Sequence, residues 1–263
     1  MKKYLIIFLL VIVFLGGITY LGTRNTTLST DSPVDDATRQ LEEQYLRAAL
    51  SEALIEYAHI EIAQMEGVDI VHETEGDSLA LNLFQENKKL RDRVRAEISI
   101  DYPYNEGETL RYSWQFKLPE VFPSDFPLNR WWVIGQWHDQ PDISKGETWD
   151  GHESQSPPVL FGYGNDGKDD ILSFTYGTAY TPIGTIPLKK NVWNTITIDI
   201  TWSQSDTGKA VVYLNGLDEP IFVATGANML NGYQHYVKIG QYRHSDIATD
   251  NTVYVRNVDI SKK

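Results

Sequence analysis

From residue 67 onward the sequence consists of short runs in which apolar and polar residues alternate, separated by clusters of Gly, Asn, Asp and Pro. Alternation with a period of two predicts β-strands, because successive side chains of a strand point to opposite faces. Many short strands joined by turns are typical of a sandwich or jelly roll, so we predict one all-β domain over 67–263. The predicted strands are 78–83, 94–101, 109–118, 131–138, 159–163, 171–176, 193–202, 210–214, 221–225, 236–242 and 252–260.

Residues 1–22 are predicted to be a membrane anchor or a signal segment. Lys2 and Lys3 precede an apolar run over 4–21, which is close to the ~20 residues that cross a bilayer. Lysines before the run favour export of the residues after it, and no clear small-residue cleavage site ends the run. We therefore expect an extracytoplasmic domain anchored to the membrane; the alternative is a secreted or periplasmic domain released by cleavage.

Two segments connect this run to the β domain. Residues 23–34 are rich in Ser, Thr and Asp and are predicted to be a tether, because they hold too little apolar surface to fold. Residues 35–66 carry Leu41, Tyr45, Leu50, Tyr57 and other apolar side chains at helical spacing, with no Gly or Pro between them. This pattern predicts one long amphipathic helix that acts as a stalk or packs on the sandwich.

Charge and cysteine content exclude several classes of protein. The formal net charge is −13, which argues against nucleic-acid binding, since that needs an excess of Lys and Arg on the binding face. A polyanion would have to meet a local basic patch. The chain has no cysteine, so it has no disulfide, no thiolate nucleophile and no cysteine zinc site.

A basic stripe precedes and enters the second predicted strand. Strand alternation through this segment would place Lys89, Arg91, Arg93 and Arg95 on one face. Glu97 would follow on the same face and could orient Arg95. The alternative is a solvated edge strand whose charges prevent aggregation.

Two further strands carry titratable side chains on one face. By the same alternation, Trp132, Ile134, Gln136 and His138 share a face. A histidine can act as a general base near neutral pH, and a glutamine amide can donate to a carboxylate. The other strand is predicted to present four polar or aromatic side chains on one face, namely Tyr236, Lys238, Tyr242 and His244.

Together the three clusters resemble those of the β-jelly-roll polysaccharide lyases, a group that includes alginate lyases, glucuronan lyases and the heparin lyase I type. The matching segments are Arg95-Ala96-Glu97, Gln136-Trp137-His138 and the Tyr-x-Lys-x-Gly-x-Tyr run over 236–242. Ala96 replaces the Ser or Thr of the alginate lyase pattern, and Trp137 replaces its Ile or Val. These departures weaken the alginate assignment more than the lyase assignment.

The resemblance implies a concanavalin-like β-jelly-roll sandwich and a polysaccharide lyase that cleaves a uronate-containing acidic polysaccharide by β-elimination. It implies that Arg95 and Gln136 neutralise the carboxylate, that His138 is the base and that Tyr242 is the acid. For the other epimer at the proton-bearing carbon, Tyr242 could perform both transfers. Lys238 would bind substrate or assist Tyr242, and no cofactor is expected. The implied substrate-binding residues are Arg91, Arg93, Lys238, Tyr236, His244 and Trp132.

Three alternatives remain. A retaining glycoside hydrolase needs two close carboxylates, but Glu147, Asp150 and Glu153 lie around a glycine without the strand spacing that would pair them. A non-catalytic lectin-like domain would need Arg, Lys and aromatics but neither a base nor an acid. A structural calcium ion is an open alternative at Asp166, Asp169 and Asp170, but the spacing does not support it: the full EF-hand pattern is missing and a Gly/Asp turn is the commoner explanation.

Overall fold

The computed structural model describes residues 36–84, 86, 89–90, 93–153 and 155–263. The predicted membrane segment, the tether and Arg91 lie outside the described residues. In this described part, no helix has the length and apolar character that a membrane span requires.

Two seven-stranded antiparallel sheets form a sandwich. The first sheet has the order β1-β4-β13-β6-β7-β8-β9. Its strands are β1 Ala58–Ile62, β4 Val94–Ile100, β6 Trp132–His138, β7 Val159–Asn165, β8 Asp170–Tyr176, β9 Thr181–Pro187 and β13 Tyr236–Arg243.

The second sheet has the order β12-β11-β10-β5-β14-β3-β2. Its strands are β2 Val68–Val71, β3 Ser78–Leu83, β5 Thr109–Lys117, β10 Asn194–Thr201, β11 Lys209–Leu214, β12 Phe222–Thr225 and β14 Asn251–Lys262. The all-β sandwich prediction is confirmed, and every predicted strand has a counterpart.

The core lies between the sheets and is rich in aromatic side chains. Trp114 of β5 packs edge-on against Trp137 of β6, with 6.0 Å between ring centroids, and against Phe161 of β7 at 5.8 Å. All three side chains are fully buried. Alternate residues of the first sheet therefore fill the core, and the others form its outer face.

The long helix predicted for 35–66 is much shorter in the structure. Helix α1 covers Asp36–Arg47, a 3-10 turn covers Glu52–Tyr57, and Ala58–Ile62 is strand β1. Backbone pairing with the sandwich ends the helical pattern, because Leu50 forms a parallel bridge with Val258 and the Ser51 amide donates to the Val258 carbonyl at 3.1 Å. The sandwich therefore begins within this segment, at β1.

Besides β1, strands β2 and β9 were not predicted from the sequence. β2 is a four-residue strand at the edge of the second sheet, and β9 is an edge strand that contains Pro182, Gly184 and Pro187. Proline and glycine weigh against a strand in sequence, but an edge strand tolerates them because one side of its backbone needs no partner.

The basic stripe does not form as predicted. Leu90 and Arg93 exchange backbone hydrogen bonds of 2.9 Å, and β4 begins only at Val94. Lys89 and Arg93 are exposed residues outside the strand. The prediction that strand alternation aligns Lys89 with Arg95 is therefore wrong, because Lys89 lies before the Leu90–Arg93 bridge. Arg93 directly precedes β4, and its alignment with Arg95 stays a prediction.

Candidate active site

The outer face of the first sheet carries a cluster of charged and amide side chains at its centre. Strand register places Glu61 of β1 opposite Glu97 of β4, and Lys238 of β13 opposite Gln136 of β6. Arg95 lies two residues before Glu97 on β4. We call Glu61, Arg95, Glu97, Gln136 and Lys238 the polar floor.

Ion pairs and one amide hydrogen bond hold the polar floor together. The Glu61 carboxylate bridges two cations, with 2.8 Å from Oε2 to Arg95 Nη1 and 2.8 Å from Oε1 to Lys238 Nζ. Gln136 Nε2 donates to Glu97 Oε1 at 2.7 Å, and Glu97 Oε2 lies 3.5 Å from Arg95 Nη1. Two carboxylates therefore balance two cations, and these contacts orient the side chains on the sheet.

Burial and charge shift the pKa values of this cluster in different directions. Burial raises the pKa of Glu97, although Arg95 and Lys238 oppose the shift. Burial alone would also raise the pKa of Glu61, but His59, Lys238 and Arg95 together hold it well below its usual range. Burial lowers the pKa of Lys238, and the two carboxylates limit that shift.

The imidazole of His138 lies at the end of β6 and is oriented by the next residue. His138 Nδ1 lies 2.8 Å from Asp139 Oδ1 and 3.1 Å from the Asp139 carbonyl oxygen. Two acceptors beside Nδ1 favour a proton on that nitrogen, which leaves Nε2 as the basic atom. Asp139 is almost fully buried, and its Oδ2 lies 2.9 Å from His152 Nε2.

The ionisation of Asp139 follows from these contacts. Burial alone would raise its pKa, but the hydrogen bond and charge of His138, with His235 and His152, hold the pKa of Asp139 below its usual value. An ionised Asp139 can stabilise an imidazolium on His138 after proton abstraction.

The two tyrosines of β13 lie at different places on this face. Tyr236 pairs with His138, and the ring centroids are 6.0 Å apart. Burial raises the pKa of Tyr236. Tyr242 pairs with Arg95, whose guanidinium carbon lies 4.4 Å from the centre of the tyrosine ring.

His138 and Tyr242 stand on opposite sides of the polar floor. In the register of β13 with β6, Lys238 pairs with Gln136, Tyr236 with His138 and Tyr242 with Val133. His138 therefore lies on one side of the Gln136 row and Tyr242 on the other. The structure brings each close to the floor without bringing the two rings into contact with each other.

An exposed tryptophan lies beyond each of these side chains. Trp149 contacts Tyr236 edge-on, with 6.2 Å between centroids, and is about half exposed at 49%. Trp131 contacts Tyr242 at 4.6 Å and is exposed by 44%. His244 lies 5.8 Å from Trp131, on the Tyr242 side.

Trp132 does not lie on this face. A β-bulge at Ile134, between the pairs Val133–Gly162 and Gly135–Phe161, adds one residue to β6 and switches the face of the residues before it. Trp132 is only 2% exposed and packs against Phe122 at 5.2 Å between centroids. The prediction that it shares a face with Gln136 and binds substrate is wrong.

Several residues of the site were missed in the sequence. Glu61 was assigned to the long helix, although the alternation of Ile60 and Ile62 around it was a signal for a strand. Asp139 directly follows His138, and this adjacency was a signal for their pairing. His152 and Trp149 lie in a loop whose shape has no sequence signal.

Two carboxylates of the alternative sites, Asp166 and Glu147, form local hydrogen bonds within their own loops. Asp166 Oδ1 accepts from the amides of Lys168 and Asp169 at 2.9 and 2.8 Å, which is the geometry of a turn. Glu147 Oε2 accepts from the Asp142 amide at 2.8 Å and so braces its own loop. Within the described ranges, no group of three or more His, Asp and Glu side chains is arranged to hold a metal ion.

A cavity of about 370 Å³ opens beside Arg95, away from His138. Its walls include Ile62, Ala63, Gln64 and Phe84. It is partly apolar and shares only Arg95 with the polar floor.

Comparison with solved structures identifies the fold. The chain is similar to the endo-β-1,4-glucuronan lyase from the fungus Trichoderma reesei, with a TM-score of 0.56 and 14% identity over 74% of this chain and 87% of that one. It is also similar to an alginate lyase from Chlorella virus, with a TM-score of 0.51 and 11% identity over 79% and 93% of the two chains. An alginate lyase of polysaccharide lyase family 7 gives a TM-score of 0.52 at 12% identity, over 74% and 83%. These likenesses show a shared jelly-roll fold.

Sequence comparison assigns the family. No curated protein matches the chain significantly. The sequence model of the family described as polysaccharide lyase matches residues 55–259, which include thirteen of the fourteen strands in full and most of β14. The chain therefore belongs to the polysaccharide lyase family and is a polysaccharide lyase.

Proposed function

We propose that this enzyme cleaves a uronate-containing acidic polysaccharide by β-elimination. The observation that carries the proposal is the placement of His138 and Tyr242 on opposite sides of a floor that holds Arg95 and Gln136. A uronate over this floor would put its carboxylate near cationic and amide donors and its ring between the two titratable groups.

In the proposed reaction the uronate carboxylate lies against Arg95 and Gln136. Charge neutralisation makes the neighbouring C–H more acidic, since the developing negative charge spreads onto the carboxylate. His138 Nε2 takes that proton, a carbon–carbon double bond forms, and the bond to the 4-oxygen breaks. The Tyr242 hydroxyl protonates the leaving oxygen. For the other epimer, Tyr242 performs both transfers.

Lys238 has a supporting role in the proposal. Its ammonium lies against Glu61 and 5.0 Å from the centre of the Tyr236 ring, so it sets the charge of the floor and stands beside the substrate position. Tyr236 and His244 remain proposed contacts for sugars on either side of the reacting uronate.

We also propose that the enzyme works outside the cytoplasm, anchored by residues 1–22. The sequence pattern of two lysines and an apolar run supports this placement. An extracytoplasmic lyase meets polysaccharides that do not enter the cell.

The test is ultraviolet absorbance of the unsaturated uronate formed by elimination. The purified protein is incubated with glucuronan, alginate and other acidic polysaccharides, beside the variants His138→Ala and Tyr242→Phe. We expect a rise with at least one polymer, reduced by on the order of 10²-fold or more in each variant. Binding without any rise across the panel would refute the proposed β-elimination.

A further inference from the structure

Exposed tryptophans stand at both ends of the strand direction on this face, so a polymer that avoids them would cross the strands. His138 and Tyr242 stand on either side of the Gln136 row, and each must reach the same sugar. Trp149 stands beyond the Tyr236–His138 side and Trp131 beyond Tyr242, so both paths along the strands meet a tryptophan. A polysaccharide on this path would run towards β1 on one side and over β7, β8 and β9 on the other.

The two sides of this path differ in charge. The residues paired with Lys238 across the neighbouring strands form a row that continues through Ser99 to His59. This half of the row lies beside Arg95 and Glu61. In the other direction the row runs from Gln136 to Leu160, Thr175 and Pro182. The neighbouring row continues through Gly162, Ser173 and Thr185.

We call the outer face of β7, β8 and β9 the neutral arm, formed by Leu160, Gly162, Ser173, Thr175, Pro182 and Thr185. These three strands, all described in full, contain no lysine, arginine or histidine. A Cβ at Gly162 would lie 2.6 Å from Ser173 Oγ, so this part of the surface has no room for a longer side chain without a shift of Ser173. Leu160, Gly162 and Thr175 are buried, so the accessible side chains of the arm are those of Ser173, Pro182 and Thr185. They offer hydroxyl groups and apolar contact and carry no charge that could pair with a carboxylate.

The charges outside the neutral arm also disfavour a polymer with a carboxylate on every sugar. The cations of the polar floor, Arg95 and Lys238, are already paired with Glu61 and Glu97. The whole chain has a formal net charge of −13, which repels a densely charged polyanion. Arg95 and Lys238 therefore place the cationic groups of the polar floor at its centre, away from the neutral arm.

We propose that the substrate is a heteropolysaccharide in which the cleaved uronate is followed, on the neutral arm, by uncharged sugars, rather than a polymer composed only of uronates. This inference rests on the proposed function, because it assumes that the reacting uronate binds at the polar floor. It deepens that function by naming the class of polymer.

Binding to the inactive double variant His138→Ala, Tyr242→Phe tests the proposal by calorimetry. The probes are a glucuronan hexasaccharide, charged on every sugar, and a hyaluronan hexasaccharide, in which glucuronate alternates with an uncharged N-acetylated sugar. We expect the alternating probe to bind about fivefold more tightly, since each missing ion pair lowers affinity by a few-fold. Equal or tighter binding of the glucuronan probe would overturn the inference.

A lysine introduced on the neutral arm provides a second test. Thr185→Lys, at an exposed position of β9, is expected to raise affinity for the glucuronan probe about threefold and to leave the alternating probe unchanged. The matched control is Thr225→Lys, exposed on β12 of the second sheet, which is expected to change neither. No difference between the two lysine variants would overturn the inference.

The two proposals fail separately. Binding by the inactive variant does not depend on turnover. If the wild type forms no unsaturated product while the preference for the alternating probe persists, the proposed β-elimination is refuted and the neutral arm stands.

Discussion

The Glu61 carboxylate contacts both cations of the polar floor, Arg95 and Lys238. It is 18% exposed and contacts Lys238, which is 6% exposed, so this pair lies largely away from water. Without Glu61, the Lys238 ammonium would lose the ion pair that offsets the free-energy cost of removing it from water.

Glu61→Gln is therefore expected to lower the free energy of unfolding by about 3 kcal/mol, because it leaves a buried cation without its counter-charge. Urea unfolding followed by circular dichroism measures the change. The matched control is Glu43→Gln on α1, whose partners Arg39 and Arg47 are well exposed, with an expected change below ~0.5 kcal/mol. Equal losses in the two variants would contradict this role for Glu61.

Asp139 is a positioning residue for His138. Asp139→Asn removes the charge beside His138 Nδ1 and presents an amide that can donate there, so the proton can move to Nε2. We expect kcat to fall by on the order of 10²-fold while KM stays close to that of the wild type. Steady-state kinetics on a cleaved polysaccharide measures both, with Asp150→Asn in the exposed part of the same loop as the control. A change confined to KM would assign Asp139 to binding instead.

His235 makes stability depend on pH. It is buried, and its burial lowers its pKa from 6.5 to about 4. The unfolded chain therefore binds a proton between these values that the folded chain refuses, and stability falls as pH falls through this window. The loss is about 3 kcal/mol in all, and it is absent above the unfolded pKa.

The measurement is urea unfolding of the wild type and His235→Gln at several pH values within that window. We expect a shallower pH dependence in the variant, whatever its absolute stability. His72→Gln, at an exposed position, is expected to keep the slope of the wild type. An unchanged slope in His235→Gln would rule out this histidine as the source.

The part of the site that strand alternation encodes could be predicted from the sequence. Gln136 and His138 share a face, and Lys238 and Tyr242 lie on β13 as predicted, because period two needs only local information. Trp132 was misplaced because a bulge shifts the period, and a bulge depends on the neighbouring strand. The partners of His138 could not be predicted in full, since His152 comes from a loop positioned by tertiary contacts.

At the level of elements, helix α1 is part of the folded domain. Leu46 is 1% exposed and belongs to the main core, and Glu42 Oε1 accepts from the Ile60 amide of β1 at 2.5 Å. This contact satisfies a backbone donor at the edge of the first sheet. The helix therefore braces the strand that carries Glu61.

Leu46→Ala is expected to lower the free energy of unfolding by about 3 kcal/mol, as for other buried leucines. Leu41→Ala, on the exposed side of the same helix at 42% exposure, is expected to cost less than ~1 kcal/mol. Thermal or urea unfolding compares the two. Similar small effects would indicate that α1 is only a spacer between the tether and the sandwich.

The fold class was predictable, while the segment before β2 was not. Ile60, Tyr57 and Leu54 satisfy helical spacing, and Ile60 and Ile62 satisfy strand spacing, so the pattern alone does not separate the two. Pairing of β1 with β4 decides in favour of the strand. β9 was missed for the opposite reason, since its prolines weigh against a strand that the sheet edge permits.

The whole molecule combines a jelly-roll fold, membership of the polysaccharide lyase family and one outer sheet face on which His138 and Tyr242 flank the polar floor. The shared fold gives the platform, and fold alone does not fix the chemistry. The proposed mechanism is therefore tested by determining how the glycosidic bond is broken, by elimination or by hydrolysis.

The most direct measurement is digestion of a cleaved acidic polysaccharide in water that carries heavy oxygen, with the products weighed by mass spectrometry. Elimination takes no oxygen from water, so we predict unsaturated products without heavy oxygen, at a rate that falls sharply in His138→Ala. Saturated products that each carry one heavy oxygen would mean hydrolysis and would contradict the proposed mechanism.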